Sequence, residues 1–256
     1  MIRNFLFSIS FCSLASTSLA ITNIESERLN NTEEGTTGNI SLSLDGRIGN
    51  SDKLALGTAL KLIRAYRRDE WIAIISRDYA EVDSEVNTDE TLVHLRYLTK
   101  HTRNWGHEIF VQYQEDKFSL LSKRSLAGAG LRYTLSSNIP KEEQTHANHF
   151  GFGLFHEEEE YTPGVESEDE KNIRVNLYWA FKNKISDIAF YTSTLYFQPK
   201  LERLSDEKGL WQNALTISVT KTISLSLSWD VEHDTHTPDD TNDTETSYNS
   251  VLIYNF

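Results

Sequence analysis

The sequence predicts an all-β fold, specifically an antiparallel transmembrane β-barrel of about twelve strands. Three observations predict it: apolar and polar residues alternate along most of the chain, the connecting segments alternate in length, and aromatic residues collect near predicted strand ends. The alternation is clearest where Ile223, Leu225, Leu227, Trp229 and Val231 are separated by polar residues. A period of two is typical of a strand with one apolar and one polar face.

Twelve segments have this strand character. Most are 10–14 residues long, which suits a tilted strand that crosses a bilayer with about 9–11 residues. The third and ninth segments alternate poorly, so the sequence leaves their facing undefined. The segments are 38–48, 53–66, 70–80, 90–99, 105–115, 120–135, 147–156, 171–182, 186–198, 210–220, 222–232 and 246–256.

The connections form a second pattern. If both chain ends lie on the periplasmic side, the odd-numbered connections face outside, and four of them are predicted to be long: 81–89, 157–170, 199–209 and 233–245. Most even-numbered connections are short, as is typical of bacterial outer-membrane barrels. The pattern has exceptions, because 136–146 is a long periplasmic connection and the first and fifth connections are short outer ones.

The aromatic residues predict two rings at the headgroup level, where amphipathic side chains are favoured. A soluble barrel would instead bury its aromatic residues near mid-strand, although alternation alone does not tell which face is outside. The predicted periplasmic ring contains Tyr66, Trp71, Tyr97, Trp105, Tyr133, Phe150, Trp179 and Phe256, and the predicted outer ring contains Tyr79, Tyr113, Trp211 and Trp229.

Composition excludes several other classes of protein. The 256 residues carry a formal net charge of −13 and a mean hydropathy of −0.47, whereas a bundle of membrane helices needs repeated apolar runs of about 20 residues. An acidic chain is unsuited to neutralising phosphate, so we expect no nucleic-acid partner. The single Cys excludes an internal disulfide framework and a cysteine-based zinc site.

The N-terminal residues 1–20 are predicted to be a secretory signal peptide, followed by a flexible lead-in at 21–37 and the barrel at 38–256. Arg3 provides the positive start, a short apolar core follows, and Ser18 and Ala20 are the small residues expected at the cleavage site. Export together with a barrel predicts the outer membrane of a Gram-negative cell.

The C-terminal strand carries a second targeting pattern. Tyr248, Leu252, Tyr254 and Phe256 share one face, and Phe256 is the last residue. A final strand that alternates in this way resembles the signal read by the barrel-insertion machinery, since an exposed apolar edge can be captured by strand addition. The expected partners are that machinery during biogenesis, outer-membrane lipid and lipopolysaccharide.

Several motifs between Gly46 and Leu135 point to a known family. They are Gly49-Asn50-Ser51, Trp71, the Asn87–Tyr97 segment, the Trp105 strand, Tyr113–Phe118 and, most specific, Arg124–Tyr133. In these residues the chain resembles the bacterial salt-induced outer membrane proteins, a domain of unknown function. The resemblance covers about a third of the chain clearly. It implies a barrel and an outer-membrane address, and no established substrate or catalytic residues.

Charged residues on the polar strand faces would point into the lumen. They predict either a charged pore wall that selects solutes or a plug of paired charges, because buried charges must be paired. Gly128 and Gly130 share the face of Arg124 and are expected to leave room for a large neighbouring side chain. The candidate lumen-lining residues are Arg47, Lys61, Arg96, Glu108, Arg124, Arg132, Arg174 and Asp230.

Acidic residues are concentrated in 157–170 and 233–245, both predicted as outer loops. Carboxylates suit Ca²⁺ and Mg²⁺, but EF-hand spacing is missing from the sequence, and the favoured interpretation is a solvated, self-repelling loop. Divalent cations at these acidic loops are the alternative.

For function, the sequence favours a narrow passive channel for small solutes or a barrel that maintains envelope integrity. The first alternative is a closed barrel whose acidic outer loops bind a partner or divalent cations, and the second is a lipid-modifying enzyme. Known barrel lipid hydrolases place Ser two residues after His, and none of the eight His residues here has Ser at that position. We therefore expect no enzymatic activity and no cofactor.

Overall fold

The computed structural model describes residues 34–48, 52–118, 121–135, 145–163, 169–236 and 242–256. They form a closed antiparallel barrel in which each strand pairs with its sequence neighbours and the first strand pairs with the twelfth. The predicted fold class is therefore confirmed. The predicted signal peptide, with Ser18 and Ala20, and residues 21–33 of the lead-in lie outside the described residues.

All twelve predicted segments coincide with observed strands. The second was predicted with its observed bounds, and the first begins at Gly35, three residues before the predicted start of the barrel. The strands are β1 Gly35–Arg47, β2 Lys53–Tyr66, β3 Asp69–Val82, β4 Glu85–Lys100, β5 Trp105–Asp116, β6 Leu121–Leu135, β7 His146–Tyr161, β8 Glu170–Lys184, β9 Ala189–Lys200, β10 Arg203–Ser218, β11 Ile223–Asp234 and β12 Thr244–Asn255.

The barrel is apolar outside and polar inside. Large apolar side chains such as Leu44, Ile109 and Leu131 are 71%, 53% and 53% exposed, whereas Arg124 and Glu157 in the interior are 2% and 0% exposed. A soluble barrel would have the reverse arrangement, so the exposed apolar surface fits a transmembrane barrel facing lipid. In the described part of the chain, no helix is both long and apolar enough to cross a membrane.

Of the two predicted aromatic rings, one is present on the outer surface and the other is present in part. At the end of the barrel that holds the chain termini, the ring centroids of Trp71 and Tyr97 lie 4.7 Å apart, and those of Trp105 and Tyr133 lie 4.8 Å apart. Towards the other end, Tyr79 and Tyr113 lie three residues before the last residues of β3 and β5, whereas Trp211 and Trp229, which pack edge-on at 5.0 Å, lie near the middle of β10 and β11. Outward aromatic side chains at both strand ends are what a bilayer interface favours.

Two of the predicted long outer connections are wrong. β3 and β4 are joined by Asp83 and Ser84 alone, which have φ values of 53° and 67°, as a two-residue hairpin turn of the primed type requires. β9 and β10 are joined by Leu201 and Glu202. The prediction failed because strands that extend beyond the lipid no longer need an apolar face. Their ends therefore have the composition of loops.

β3 and β9 have defined facings that their sequences concealed. On β3, Ile72 and Ile74 point inward and form a buried apolar cluster with Ile63 of β2 and Leu92 of β4. Outward Trp71 and Ile75 are apolar too. Because both faces of the strand are apolar near the end of the barrel that holds the chain termini, the alternation is lost.

Candidate functional site

The lumen has two unlike sides, which define the candidate site. The inward faces of β4 to β10 carry large charged and aromatic side chains that are buried, and we call this side the packed wall. Opposite, Lys61, Val251 and Ile253 also point inward on β2 and β12, but several other inward side chains of β11, β12, β1 and β2 near mid-strand are small. We call these residues the open wall: Ser41, Ser43, Ala59, Ser226, Ser228 and Asn249.

An ion-pair cluster centred on Glu157 fills the packed wall near its outer end. The Glu157 carboxylate accepts hydrogen bonds from Arg124 Nε at 2.8 Å and Arg174 Nε at 2.6 Å. Lys208 Nζ lies 3.7 Å from Glu157 Oε1 and in closer contact with Glu159. All five side chains are at most 5% exposed. Such charges are tolerated in a low-dielectric interior because they are paired.

Asp206 extends this cluster towards the outer end of the barrel. Its Oδ1 lies 2.9 Å from Arg174 Nη2, and its Oδ2 lies 3.3 Å from Arg203 Nη2. Arg174 thus bridges two buried acids on different strands, Glu157 of β7 and Asp206 of β10. This cross-strand bridging ties the lumen side chains of four strands into one network.

A second polar layer lies further towards the end of the barrel that holds the chain termini. Arg96 Nη1 lies 3.3 Å from Glu108 Oε2, and the Tyr178 hydroxyl donates to Glu108 Oε1 at 3.1 Å. Arg132 Nη1 in turn donates to the Tyr178 hydroxyl oxygen at 3.1 Å. Tyr178 of β8 therefore links Glu108 of β5 with Arg132 of β6 across the lumen.

Inward glycines make the room that these large side chains occupy. A Cβ added to Gly128 would collide with the Phe110 ring and with Phe155, and one added to Gly151 would collide with the Tyr178 ring. The expectation that Gly128 leaves room for a large neighbour is therefore confirmed. At Gly130 the nearest atoms to an added Cβ are backbone atoms, so that glycine allows close strand approach instead.

The packed wall leaves little empty space. A cavity of about 20 Å³ lies among ten of its side chains. Such a volume holds a water molecule but no larger solute. Its lining residues include His94, Phe110, Gln112 and Phe155.

The open wall is not filled by side chains. Its serines and Ala59 are partly exposed and Asn249 is exposed, although all of them point inward. Their register confirms that they are neighbours, because Ser41 lies opposite Ala59, and Ser228 lies opposite Asn249. These small side chains therefore leave solvent-accessible surface on this side of the lumen.

Acids outnumber cations around the open wall. Asp45 pairs with Lys53 at 2.7 Å, and Asp234 lies 3.7 Å from Lys208. Apart from these two pairs, the inward-facing charged residues of β11, β12 and the outer half of β3 are all acids: Asp78, Asp230, Glu232 and Glu245. Lys61, at the centre of β2, adds one cation. The open side of the lumen thus has a negative bias among the described residues.

The sequence-predicted lumen residues divide between the two sides. Arg96, Glu108, Arg124, Arg132 and Arg174 are buried in the packed wall. Lys61 and Asp230 are buried as well, at 5% and 7% exposure, but on the opposite side of the barrel. Arg47 ends β1, but its side chain lies outside the described residues. The C-terminal Phe256 pairs with Gly38, each accepting a backbone hydrogen bond of 3.0 Å from the other.

The acidic segment 157–170 is mostly not an outer loop, which corrects the prediction. Glu157 to Glu160 lie in β7, and β8 begins at Glu170. Glu157 and Glu159 point into the lumen and are buried, whereas Glu158 points outward and binds Lys171 at 3.0 Å. Residues 164–168 and 237–241 of the acidic segments lie outside the described residues.

Sequence reasoning also missed Asp206 and Lys208 as lumen residues, because they precede the predicted strand 210–220. The available signal was their spacing, since both keep the period of Leu210. No group of three or more His, Cys, Asp or Glu residues in the described ranges is arranged to hold a metal ion.

Comparison with known proteins places the chain in a family. The family model described as "Protein of unknown function, DUF481" matches residues 40–256. The chain belongs to this family. The match extends well beyond the Gly46–Leu135 stretch that carries the sequence resemblance. No curated protein matches the chain.

Several solved structures are similar to the chain. The NanC porin is similar with 11% identity and a TM-score of 0.51, over 86% of this chain and 99% of that one. The KdgM porin aligns with 9% identity and a TM-score of 0.48 over 87% and 99%. The translocator domain of the autotransporter NalP from Neisseria meningitidis aligns with 9% identity and a TM-score of 0.48 over 91% of each chain. At such identities the NanC likeness supports the outer-membrane barrel fold alone.

Proposed function

We propose that the protein is a narrow passive channel for small solutes in the outer membrane of a Gram-negative cell. The observation that carries this proposal is the unequal filling of the lumen. The packed wall is closed by paired charges and aromatic rings, whereas the inward side chains of the open wall are small and keep part of their surface exposed. Polar residues that line a water-filled space are typical of a barrel that conducts.

The proposed passage is eccentric, because it follows β11, β12, β1 and β2 rather than the barrel axis. Its hydroxyl and amide side chains, such as Ser41, Ser228 and Asn249, can exchange hydrogen bonds with hydrated solutes without binding them tightly. Weak binding suits conduction, since a solute must leave as readily as it enters. The Glu157 cluster then acts as a rigid filler that sets the width of the passage.

The remaining parts of the proposal concern placement. Export through the predicted signal peptide, insertion by the barrel machinery, and an annular shell of lipid and lipopolysaccharide accord with the apolar outer surface and its aromatic rings. The proposal includes no catalytic step and no cofactor. An envelope-integrity role alone would require a lumen that does not conduct.

Filling the passage should abolish conduction. Ser228→Trp places a large ring in the open wall, and we expect single-channel conductance in planar bilayers to fall at least severalfold. The matched control is Leu227→Trp, on the same strand but facing lipid with 45% exposure, which should conduct like the parent protein. If folded parent protein gives no conductance steps, the channel proposal fails.

The negative bias of the open side predicts a preference for cations over anions. The reversal potential across a KCl gradient measures this preference. Neutralising two inward acids with Asp230→Asn and Glu245→Gln should reduce it, because fewer fixed negative charges then attract cations. Lys61→Gln is the control of opposite sign and should preserve or increase the preference. A parent channel that prefers anions would contradict the charge argument.

A further inference from the structure

The seam that closes the barrel is much shorter than its other strand pairings. β1 and β12 are in register from Asn39 opposite Asn255 to Leu42 opposite Leu252. The hydrogen bonds between Gly38 and Phe256 extend it by one pair. Every other neighbouring pair of strands is in register for at least nine residue pairs.

Two strand edges therefore face each other without pairing in the outer part of the seam. On β1, the residues from Ser43 to Arg47 pair with β2 on one side, and their pairing with β12 has already ended at Leu42. On β12, the residues from Thr244 to Val251 pair with β11 on one side only. Among the described residues, no third strand covers either edge.

Bare strand edges are costly in hydrocarbon, because each unpaired backbone N–H or C=O loses its hydrogen bonds to water. The sequence of β12 changes character where its pairing with β1 ends. From Thr244 to Ser250 both of its faces are polar except for Tyr248, whereas from Val251 to Phe256 they are mostly apolar. The unpaired half of β12 thus has the composition of a strand in contact with water.

The lipid-facing and lumen-facing sides of the seam differ in polarity, which suits an amphiphile. On the lipid side, Leu42 and Leu44 of β1 are 47% and 71% exposed. On the lumen side, Ser43 and Asn249 belong to the open wall. A molecule with one apolar chain and a small polar head could place the chain against the leucines and the head against the hydroxyl, the amide and the bare backbone groups.

We propose that the outer part of the β1–β12 seam is a lateral opening between the open wall of the lumen and the outer leaflet, which admits single-chain amphiphiles. The proposed opening rests on the proposed function in one respect: both require water beside the open wall. A channel without a lateral opening would still conduct, so the two ideas fail separately.

Cysteine pairs across the seam test the geometry. Extending the observed register would place Ser43 opposite Val251 and Asp45 opposite Asn249. The pair Ser41→Cys with Ile253→Cys lies in the paired part and should form a disulfide quickly under mild oxidation. The pair Asp45→Cys with Asn249→Cys should not, because Cα atoms more than about 7 Å apart cannot be bridged. It should instead be joined by a longer flexible bis-maleimide.

The outcomes of the crosslinking experiment are distinct. The only native cysteine is Cys12, within the predicted signal peptide, so the background is clean, and a heat-dependent gel shift checks that each variant is folded. If the Asp45→Cys and Asn249→Cys pair forms a disulfide as fast as the Ser41→Cys and Ile253→Cys pair, the seam is closed. That result overturns the opening while leaving the channel proposal intact.

An amphiphile titration tests the occupant. Asn249→Cys is labelled with an environment-sensitive fluorophore in phosphatidylcholine vesicles, and decanoate is added. A saturable blue shift, absent when the same label sits at the lipid-facing Leu227→Cys on β11, supports the proposal. An equal response at both positions, or none at Asn249→Cys in protein whose seam is open by crosslinking, overturns the assigned occupant.

Discussion

Replacing Glu157 with Gln is expected to destabilise the folded barrel by about 3–5 kcal/mol, the cost of leaving a buried charge without its partner. Arg124 and Arg174 both donate to this carboxylate, and Lys208 lies close to it. Glu157 itself has no exposed surface. Removing this negative charge therefore leaves Arg124, Arg174 and Lys208 buried with fewer carboxylates to pair with.

Urea unfolding from phosphatidylcholine vesicles measures this loss, and the temperature at which the folded band disappears on an SDS gel gives a second readout. Glu158→Gln is the matched control, because Glu158 is the adjacent residue on β7, is 46% exposed and binds Lys171 outside the barrel. An exposed pair contributes about 0–1 kcal/mol. Equal losses in the two variants would contradict a special role for the buried cluster.

Gly151→Ala is expected to cost about 1–3 kcal/mol, the usual penalty for overpacking an interior. The added methyl group would overlap the Tyr178 ring, so the ring must move. Moving it breaks the hydrogen bonds that join Tyr178 to Glu108 and Arg132. The effect should therefore exceed what an extra methyl group alone would cause.

Gly209→Ala is the control for this substitution. Gly209 also lies inside a strand, but an added Cβ there has its nearest neighbours at 3.8 and 3.9 Å, which is ordinary contact. Urea unfolding of both variants should separate them by more than 1 kcal/mol. In a Tyr178→Leu background Gly151→Ala should cost much less, and an unchanged cost there would show that the strain lies in the backbone.

The sequence predicted the fold because the requirements of lipid are strict and local. Wherever a strand crosses the bilayer, one face must be apolar, so Val93, Leu95 and Tyr97 alternate visibly with His94 and Arg96. The preference of aromatic side chains for the membrane interface likewise predicted the ring at the end of the barrel that holds the chain termini. Where lipid no longer acts on the strand, as at Glu157 to Glu160, composition resembles that of a loop, and the prediction failed.

Which lumen residues meet each other could not be predicted. Arg174 contacts Glu157 of the preceding strand and Asp206 two strands further on, and these partners depend on the stagger between strands and the width of the barrel. Neither quantity is visible in a periodicity of two. The sequence therefore left a charged pore wall and a paired plug as alternatives. The structure has the paired charges on one side of the lumen and small, partly exposed side chains on the other.

The position of the packed wall also has a consequence for the order of assembly. Its tightest contacts join strands from β5 to β10, which are near neighbours along the chain, so they can form while the barrel is still an open, curved sheet. Contacts between near neighbours cost little loop-closure entropy. The ends of the chain, β1 and β12, add a short seam and few interior contacts. We therefore expect closure to be the late and weakly driven step, completed around a sheet whose interior is already packed.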